Sequence, residues 1–213
     1  MRIAMIGATG LIGRSLAPGL AASHDLLVIG RRPAGVAGAE ERIAPIAEWS
    51  ALLAGEKIEV AISTLGTTWK QAGNWEAFRA VDVDAVVGFA RVARAAGARQ
   101  MLSVSSVGAL AGARNRYLAL KGEVERELGR MGFERLDIVR PGLLRGTRGS
   151  DRRLGERIGI AISPLVNVLL RGRLDRFSAI DAERVAAAMA ALVGTGAGGR
   201  RVHFNRELRA LSA

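Results

Sequence analysis

The sequence predicts an α/β fold with a doubly wound parallel sheet, and two observations lead to this expectation. First, short apolar runs typical of buried strands alternate with longer segments of helical spacing along most of the 213 residues. Second, a glycine-rich turn joins the first apolar run directly to the first helical segment. Strands separated by helices of about 10–20 residues indicate βαβ units with right-handed crossovers, so helices are expected on both faces of the sheet.

The individual elements follow from this alternation. Arg2–Ile6 and residues 25–29 are apolar runs that each end at a glycine, which predicts two buried strands. Residues 77–96 carry apolar side chains at spacings of three and four, which predicts a helix. The other predicted strands are residues 41–47, which form the weakest pattern, 58–64, 100–105, 135–140 and 201–204, and the other predicted helices are residues 11–22, 115–131 and 181–193.

The alternation weakens after Gly142, where an arginine- and glycine-rich stretch leads to an apolar run at residues 158–170. This run is thirteen residues long and is interrupted by Ser163, Pro164 and Asn167, whereas a membrane-spanning helix needs about 20 apolar residues. We therefore expect no transmembrane segment. Because arginines flank the run, an amphipathic segment at a membrane surface is one alternative. A buried segment, or a lid over a pocket, is favoured.

The composition excludes several kinds of site. The chain has no cysteine, which excludes disulfides, a thiolate nucleophile and cysteine-ligated zinc. His24 and His203 are its only histidines, so no metal site is expected, and both are predicted to lie at the surface or at strand ends. The amino terminus opens with a strand pattern rather than a basic stretch and an apolar core, so we expect no signal peptide and a cytoplasmic protein.

The formal net charge of +11 raises the question of nucleic-acid binding. Only three of the 31 basic residues are lysines, and the arginines are scattered along the whole chain. No basic helix interleaved with aromatic residues and no zinc-finger pattern is present in the sequence. The charge is more typical of the codon bias of a GC-rich genome, and a nucleic-acid partner is not expected.

Residues 7–13 spell GATGLIG between the first strand and the first helix. In a dinucleotide-binding turn, Gly7 would allow the sharp turn, Gly10 the approach of backbone to a pyrophosphate, and Gly13 the close packing of helix on strand. The helix amino terminus would offer free N–H groups and partial positive charge to the phosphates. A helix-entry turn without a ligand is the alternative. The residues assigned to this site are Gly7, Thr9, Gly10, Leu11, Ile12 and Gly13.

We therefore expect a single NAD(P)-binding domain of the Rossmann type over residues 1–213. Its core would be residues 1–142, and a small C-terminal substrate or lid region would span about residues 143–180. A helix and a strand would then return at residues 181–213.

The end of the second predicted strand indicates which cofactor is preferred. Enzymes that use NAD place Asp or Glu there to bind the ribose hydroxyls, whereas this chain has Arg31 and Arg32 after Gly30. A guanidinium can bind a 2′-phosphate through paired charged hydrogen bonds. NADP(H) is therefore favoured over NAD(H). The alternative is that these are two more surface arginines.

The only tyrosine of the chain, Tyr117, stands four residues before Lys121, one of the three lysines. Residues i and i+4 share one face of a helix, so the ammonium can lie close to the phenol. A nearby cation favours the phenolate, which can exchange a proton with a carbonyl or alcohol oxygen during hydride transfer. A half-buried aromatic residue beside a lysine stem is the structural alternative.

In these motifs the sequence resembles the short-chain dehydrogenase/reductase superfamily. The glycine loop, a pair of serines that ends a strand, and Tyr-x-x-x-Lys occur in the expected order. The likeness is greatest to the atypical branch with the Tat-interacting oxidoreductase-like proteins and small bacterial NAD(P)-binding relatives. It covers roughly residues 1–145 and, more loosely, 181–185. Shared features are Gly-Arg-Arg at 30–32, Ser-Thr-Leu-Gly-Thr-Thr at 63–68, Lys-Gly-Glu-Val-Glu at 121–125 and Arg-Pro-Gly at 140–142.

This resemblance implies a role for each matching residue. Tyr117 would be the acid/base, and Lys121 would bind the nicotinamide ribose and favour the phenolate. Ser106, or failing it Ser105, would hydrogen-bond the substrate oxygen. The adenosine side would be lined by Thr64, Leu65 and Gly66, and the nicotinamide amide would lie along Pro141 and Gly142.

Two departures from the superfamily pattern affect these roles. Ser106 precedes Tyr117 by eleven residues, a little less than in many members. Asp82 stands where longer relatives often carry Asn, which weakens the case for a relayed proton network.

Trp69 and Trp75 follow the fourth strand and are assigned either to a substrate pocket or to packing. A solvated helix face is expected from Glu123, Glu125 and Glu127 with Arg126 and Arg130.

The functional hypothesis is an NADP(H)-dependent oxidoreductase that transfers hydride to a small carbonyl substrate, with Tyr117 as acid/base. A non-catalytic NADP(H) sensor or interaction protein is the first alternative, and an epimerase- or dehydratase-like enzyme acting on a nucleotide sugar is the second. About 70 residues after Pro141 are few for holding a nucleotide sugar. The expected partner is a small-molecule substrate, and a homodimer is possible.

Overall fold

Seven parallel strands form the central sheet of the computed structural model, which describes residues 1–146 and 172–213. The predicted α/β class with a doubly wound sheet is confirmed. The strands are β1 (Arg2–Ile6), β2 (Asp25–Gly30), β3 (Glu40–Ile43), β4 (Val60–Ser63), β5 (Gln100–Val104) and β6 (Arg135–Val139), followed by the short β7 (Leu143–Arg145) and β8 (Ala179–Asp181) and by β9 (Gly199–His203). Their order in the sheet is β3-β2-β1-β4-β5-β6-β9, while β7 pairs with β8 in a separate ladder.

Seven α-helices connect or follow these strands within the described residues. They are α1 (Leu11–Ser23), α2 (Trp69–Ala72), α3 (Trp75–Arg79), α4 (Ala85–Ala95), α5 (Arg116–Gly129), α6 (Ala182–Leu192) and α7 (Asn205–Leu211). The π-helical turn Ala80–Asp84 joins α3 to α4, and short 3-10 turns lie at Ile46–Glu48, Ala51–Leu53 and Gly172–Phe177.

The two faces of the sheet bury separate apolar cores. Successive residues of β1 point to opposite faces, so Ile3 and Met5 join one core while Ala4 and Ile6 join the other. The first core is covered by α1 and α6, and the second by α4 and α5. A parallel sheet whose faces are both covered explains why its inner strands β1, β2 and β4 appear in the sequence as continuous apolar runs.

One predicted helix has an irregularity that periodicity does not show. Residues 77–96 were expected to form a regular helix, but the turn Ala80–Asp84 is π-helical. Asp82 and Val83 in this turn are both buried. A π-turn adds one residue to a turn of helix, and such turns occur frequently at functional sites. The extra residue leaves the apolar spacing on either side intact, which is why the sequence pattern does not reveal it.

Several predicted strands differ in length from those observed, among them the third and the last. The third ends at Ile43, before the first 3-10 turn, because Pro45 has no N–H to donate to a ladder. The last begins at Gly199, which pairs with Arg135, and not at residue 201.

Only the two ends of the predicted lid region, residues 143–180, are described. They form the β7–β8 ladder and the turn Gly172–Phe177. The apolar run at residues 158–170 lies outside the described residues. Among the described helices, none is long and apolar enough to cross a membrane. The division of the chain at residue 142 stays a prediction.

Candidate functional site

The carboxyl ends of β1, β2 and β4 lie side by side at one edge of the sheet. Ile6 of β1 is opposite Ile29 of β2 on one side and Ser63 of β4 on the other. In the sheet, β2 and β3 lie on one side of β1, and β4, β5 and β6 lie on the other side. The order of strands therefore reverses between β1 and β4. Ligands of doubly wound sheets bind in the crevice outside such a reversal.

At two positions of the glycine loop after β1, there is no room for a side chain. Gly7 has a φ of +87°, and a Cβ there would lie 2.5 Å from the backbone nitrogen of Leu65. A Cβ at Gly13 would lie 2.2 Å from the carbonyl oxygen of Gly7. The first glycine therefore permits the turn, and the other allows α1 to pack closely on the end of β1, as the sequence predicts.

The amino terminus of α1 has the features of an anion-binding site. Gly10 is its N-cap and provides no side-chain acceptor, and no acidic residue lies in the first turn. The N–H groups of Leu11, Ile12 and Gly13 have no partner within the helix, because the first turn of any α-helix leaves them free. A phosphate would meet these N–H groups and the positive end of the helix dipole. The Ile12 side chain is buried in the core, so this residue can offer a ligand only its backbone.

The segment after β4 closes the other side of the crevice. The Thr64 hydroxyl donates to the carbonyl oxygen of Gly7 at 3.0 Å, so it holds the glycine loop in place. Leu65 is partly buried against the core. A Cβ at Gly66 would lie 3.7 Å from Oδ1 of Asp82 and 3.8 Å from Nζ of Lys121. The predicted adenosine-side segment is therefore next to the charged residues described below.

Arg31 and Arg32 are exposed immediately after β2, beside the glycine loop. Neither is part of any ion pair with another residue in the described ranges. Glu41 accepts hydrogen bonds from the backbone N–H groups of Ala34 and Val36, both at 2.8 Å, and so fixes the loop that follows the arginines. Both guanidinium groups are thus available to an anion at this edge.

The helix α5 brings Tyr117 and Lys121 together, as their spacing predicts. Asn115 caps the helix by accepting a hydrogen bond from the N–H of Leu118 at 3.1 Å. Nζ of Lys121 lies 5.9 Å from the centroid of the Tyr117 ring. The tyrosine is half-buried, while the lysine is buried. The tyrosine therefore has a neighbouring cation and is partly accessible to solvent.

Asp82 provides the counter-ion for this lysine. Its Oδ1 lies 2.7 Å from Nζ of Lys121, and its Oδ2 accepts a hydrogen bond from the N–H of Thr67 at 2.7 Å. The contact with the ammonium is an ion pair rather than a well-aligned hydrogen bond. The π-turn before α4 places the carboxylate here, so a residue that the sequence suggested only as a departure from a motif lies in the candidate site.

Four aromatic residues form a row that ends at the tyrosine. Trp69 contacts Trp75 at 4.6 Å between ring centroids, Trp75 contacts Phe78 at 5.7 Å, and Phe78 meets Tyr117 edge-on at 5.9 Å. The guanidinium of Arg116 lies 4.8 Å above the Trp75 ring. Trp69 is half-exposed and Phe78 is buried. The row leads from solvent to the Tyr117 ring.

The structure separates the two candidate serines. Ser105 is buried, and its hydroxyl donates to Oε1 of Glu125 at 2.6 Å. The Ser106 hydroxyl is only partly buried, and its one described contact is a weak 3.4 Å hydrogen bond to the carbonyl oxygen of Val107. Ser106 can therefore turn toward a ligand, whereas Ser105 is already used inside the protein.

The expectation of a solvated acidic face on α5 is wrong for Glu125. This carboxylate is buried and receives two hydrogen bonds from Arg140, at 2.8 and 2.6 Å, and one from Arg200 at 3.2 Å. Glu127 does pair with two arginines of its own helix, as expected. Each residue turns an α-helix by about 100°, so glutamates two positions apart point in nearly opposite directions. That spacing is the signal that could have identified Glu125.

The predicted nicotinamide-side residues are tied to a neighbouring loop and to α7. The carbonyl oxygen of Pro141 accepts a hydrogen bond from the N–H of Val107 at 3.1 Å. The N–H of Gly142 donates to Oδ1 of Asn205 at 3.0 Å, and Nδ2 of the same asparagine donates to the carbonyl oxygen of Ser178 at 2.7 Å. Asn205 is fully buried and was not identified from the sequence, because its partners are remote along the chain.

Neither histidine forms part of the candidate site. His203 ends β9, as expected, and its Nε2 lies 2.8 Å from Oδ1 of the buried Asp137. Burial raises the pKa of Asp137, but hydrogen bonds from His203, Arg135 and Gln100 outweigh it and hold that pKa below its usual value. His24 follows α1 and is partly exposed. In the described ranges, no group of three or more His, Asp or Glu side chains could hold a metal ion.

Comparison with known proteins identifies sequence relatives in fungi. No protein-family profile matches the chain. Protein FMP52, mitochondrial, of Candida albicans is 30% identical over 193 residues, which cover 85% of this chain and 84% of the relative. The protein of the same name from Aspergillus niger is 31% identical over 198 residues, which cover 87% and 84%.

Solved structures share the fold at low sequence identity. MoeE5 in complex with UDP-glucuronic acid and NAD superposes with a TM-score of 0.70 at 17% identity, over 95% of this chain and 75% of that one. A putative NAD-dependent epimerase/dehydratase from Bacillus halodurans gives 0.67 at 21% identity, over 94% and 91%. A short-chain dehydrogenase/reductase superfamily protein from Agrobacterium tumefaciens with bound NAD gives 0.64 at 17% identity, over 96% and 77%. The chain therefore has a Rossmann fold like that of short-chain dehydrogenases/reductases.

The expected cytoplasmic location is contradicted by the sequence relatives. Both of the fungal proteins above are named as mitochondrial, and so is the FMP52 protein of Coccidioides immitis. The expectation depended on the absence of a recognisable signal peptide, and this absence does not indicate in which compartment a protein resides.

Proposed function

The chain belongs to the FMP52 family, and from this premise we propose that it is an NADP(H)-dependent oxidoreductase of the atypical short-chain dehydrogenase/reductase type. It would transfer hydride to a small carbonyl substrate, with Tyr117 as the acid/base. The observation that carries the proposal is that the glycine loop and the Tyr117–Lys121 pair lie at the same edge of the sheet.

The described residues fit a nicotinamide dinucleotide. The glycine loop would receive the pyrophosphate at the amino terminus of α1, where Gly7 and Gly13 leave no room for side chains. Arg31 and Arg32 would bind a phosphate on the adenosine ribose, which favours NADP(H). The names of solved structures with this fold include bound NAD, which supports the same class of cofactor. When bound, the cofactor supplies the hydride.

The chain's own residues would manage the proton. Tyr117 would donate the proton of its hydroxyl to the carbonyl oxygen of the substrate, and the positive charge of Lys121 would stabilise the phenolate that remains. The Ser106 hydroxyl would donate a hydrogen bond to the same oxygen and so orient it. Asp82 would hold the ammonium of Lys121 in place through the 2.7 Å ion pair. Pro141 and Gly142 would line the nicotinamide side.

The row of aromatic side chains supports an apolar carbonyl compound as the substrate. Phe78 forms an edge contact with the Tyr117 ring, and the two tryptophans extend the row toward solvent. Aromatic faces bind flat apolar groups through a large contact area. A ketone or aldehyde with an apolar body would lie along this wall with its oxygen at the phenol.

One observation favours a non-catalytic NADP(H) sensor as the second candidate. The carboxylate of Asp82 offsets the charge of Lys121, which reduces the stabilisation that the ammonium can give to a phenolate. A protein that binds the cofactor and reports its presence has no need of that stabilisation.

The test combines binding and turnover. NADPH oxidation is measured with a panel of aliphatic and aromatic aldehydes and ketones, and cofactor binding is measured by calorimetry. Tyr117→Phe is expected to lower kcat by about 100-fold or more, since general acid catalysis contributes about that much, and to leave NADPH affinity unchanged. An unchanged kcat would contradict the role of Tyr117. Binding of NADPH without turnover of any compound would favour the sensor.

A further inference from the structure

We infer that Glu125 is a positioning residue, whose buried carboxylate holds the loops after β5 and β6 against the helix that carries Tyr117 and Lys121. This inference rests on the proposed function, because it concerns the geometry of that site. It adds a residue to which neither the sequence motifs nor the comparisons give a role.

The position of Glu125 on α5 connects it to the catalytic candidates. It stands four residues after Lys121 and therefore lies on the same face of the helix, one turn further on. Lys121 in turn stands four residues after Tyr117. The three side chains form one stripe along α5, and the carboxylate is its most deeply buried member.

Two partners of Glu125, Ser105 and Arg140, are each adjacent in sequence to a candidate site residue. Its Oε1 accepts the hydroxyl of Ser105 at 2.6 Å, and Ser105 precedes Ser106. Both carboxylate oxygens accept hydrogen bonds from Arg140, at 2.8 and 2.6 Å, and Arg140 precedes Pro141. One side chain thus fixes the substrate-serine loop and the nicotinamide-side loop to the catalytic helix.

The chemistry of these contacts favours precise positioning. A fully buried carboxylate must be paired, and here two arginines and one hydroxyl satisfy it. The Arg140 guanidinium binds both oxygens at once, and this fork geometry fixes direction as well as distance. Arg140 also lies 5.9 Å from the centroid of the Phe204 ring, which holds its other side. Small displacements of groups that contact a reacting centre can lower rates greatly.

The experiment separates the two halves of the cofactor site. Calorimetry measures the Kd of NADP⁺ and of adenosine 2′,5′-bisphosphate, the adenosine half of NADP, for the wild type, Glu125→Gln, Arg140→Lys and Glu127→Gln. The fragment would bind to the glycine loop and Arg31–Arg32, which form no hydrogen bond or ion pair with Glu125 in the described residues, whereas intact NADP⁺ also needs the nicotinamide side. Arg140→Lys keeps a cation beside Glu125 and loses the fork, so it tests the same idea in a milder way. Glu127→Gln changes a glutamate on the solvated face of the same helix.

The expected result is selective for the nicotinamide half. Glu125→Gln should raise the Kd of NADP⁺ about tenfold and leave the Kd of the fragment unchanged, with a smaller effect of the same kind in Arg140→Lys and none in Glu127→Gln. The unchanged binding of the fragment also shows that the variants are folded. Equal weakening of both ligands would overturn the inference in favour of a general structural role, as would unchanged binding of both. If Glu125→Gln does not fold, Arg140→Lys decides between these outcomes.

Failure of the cofactor assignment, on which the proposed function depends, gives a different result. The wild type itself would then bind NADP⁺ no more tightly than the fragment, or would bind neither ligand. Either outcome would overturn the proposed function and the role of Glu125 together, without reference to any variant.

Discussion

Nζ of Lys121 lies 2.7 Å from Oδ1 of Asp82, and only 7% and 1% of the two side chains are exposed. The aspartate comes from a π-turn between α3 and α4, and the lysine comes from α5, so the ion pair joins the two helical segments beside the candidate site. Breaking one member of a buried pair leaves an uncompensated charge, and that cost exceeds what the intact pair contributes. The pair therefore constrains stability as well as chemistry.

Replacement of Asp82 by Asn is expected to lower the free energy of unfolding by about 3–5 kcal/mol, because it leaves the Lys121 ammonium buried without a counter-ion. Asp84→Asn is the matched control: it lies two residues away, is 60% exposed, and should change stability by less than about 0.5 kcal/mol. The double variant Asp82→Asn with Lys121→Met should recover most of the loss. Urea unfolding measures all three, and equal stability of the two single variants would contradict the importance of the pair.

The parts of the fold that the sequence predicts depend on neighbours along the chain. Strand and helix alternation indicated every strand of the central sheet, and most clearly the inner strands β1, β2 and β4, because burial on both faces leaves a continuous apolar run. The glycine loop was equally accessible, since its glycines are spaced three residues apart between the first strand and the first helix. Tyr117 and Lys121 share a helix face and could be paired by spacing alone.

The parts that the sequence did not predict depend on contacts between remote residues. Glu125 binds Ser105 twenty positions before it and Arg200 seventy-five positions after it, and Gly142 binds Asn205 across sixty-three positions. No local pattern encodes such pairs. The π-turn that buries Asp82 is a one-residue change in helical pitch, which leaves periodicity on both sides unaltered.

Two glycines of α1 provide a comparison within one helix. Gly13→Ala would place a Cβ 2.2 Å from the backbone oxygen of Gly7 and is expected to destabilise the protein by about 1–3 kcal/mol through overpacking. It should also abolish NADPH binding, because the glycine loop must widen to accommodate the added Cβ. Gly19 is exposed with no atom within 4 Å of a Cβ, so Gly19→Ala should stabilise the protein by about 0.5–1 kcal/mol. Thermal unfolding and calorimetry measure both effects, and a Gly13→Ala variant that binds NADPH normally would contradict the site.

Asp137 is expected to make folding dependent on pH in the acid range. Its pKa in the folded protein is lowered from 3.8, because the hydrogen bonds from His203, Arg135 and Gln100 outweigh the opposing effect of burial. A lowered folded pKa contributes stability that is present above the unfolded pKa and is lost as the pH falls through the folded value. The loss should therefore appear below about pH 4.

Asp137→Asn removes this contribution and serves as its test. Urea unfolding followed from about pH 3 to about pH 7 should show a lower stability of the variant at neutral pH and a shallower loss of stability in acid. Asp84→Asn, at an exposed site, should retain the acid slope of the wild type. If the slope of Asp137→Asn below about pH 4 equals that of the wild type, the ionised carboxylate does not stabilise the fold.

The choice of cofactor is expected to depend on the two arginines after β2. In the double variant Arg31→Ala with Arg32→Ala, NADPH affinity should fall by about 10- to 100-fold, since two charged hydrogen-bonding groups are lost, while NADH affinity should change little. Arg91→Ala, at an exposed position of α4, controls for the loss of positive charge as such. The preference for NADPH should also weaken as ionic strength rises, because exposed charges are screened by salt. Calorimetry with both cofactors measures these differences, and equal affinities of the wild type for NADPH and NADH would refute the assignment of NADP(H).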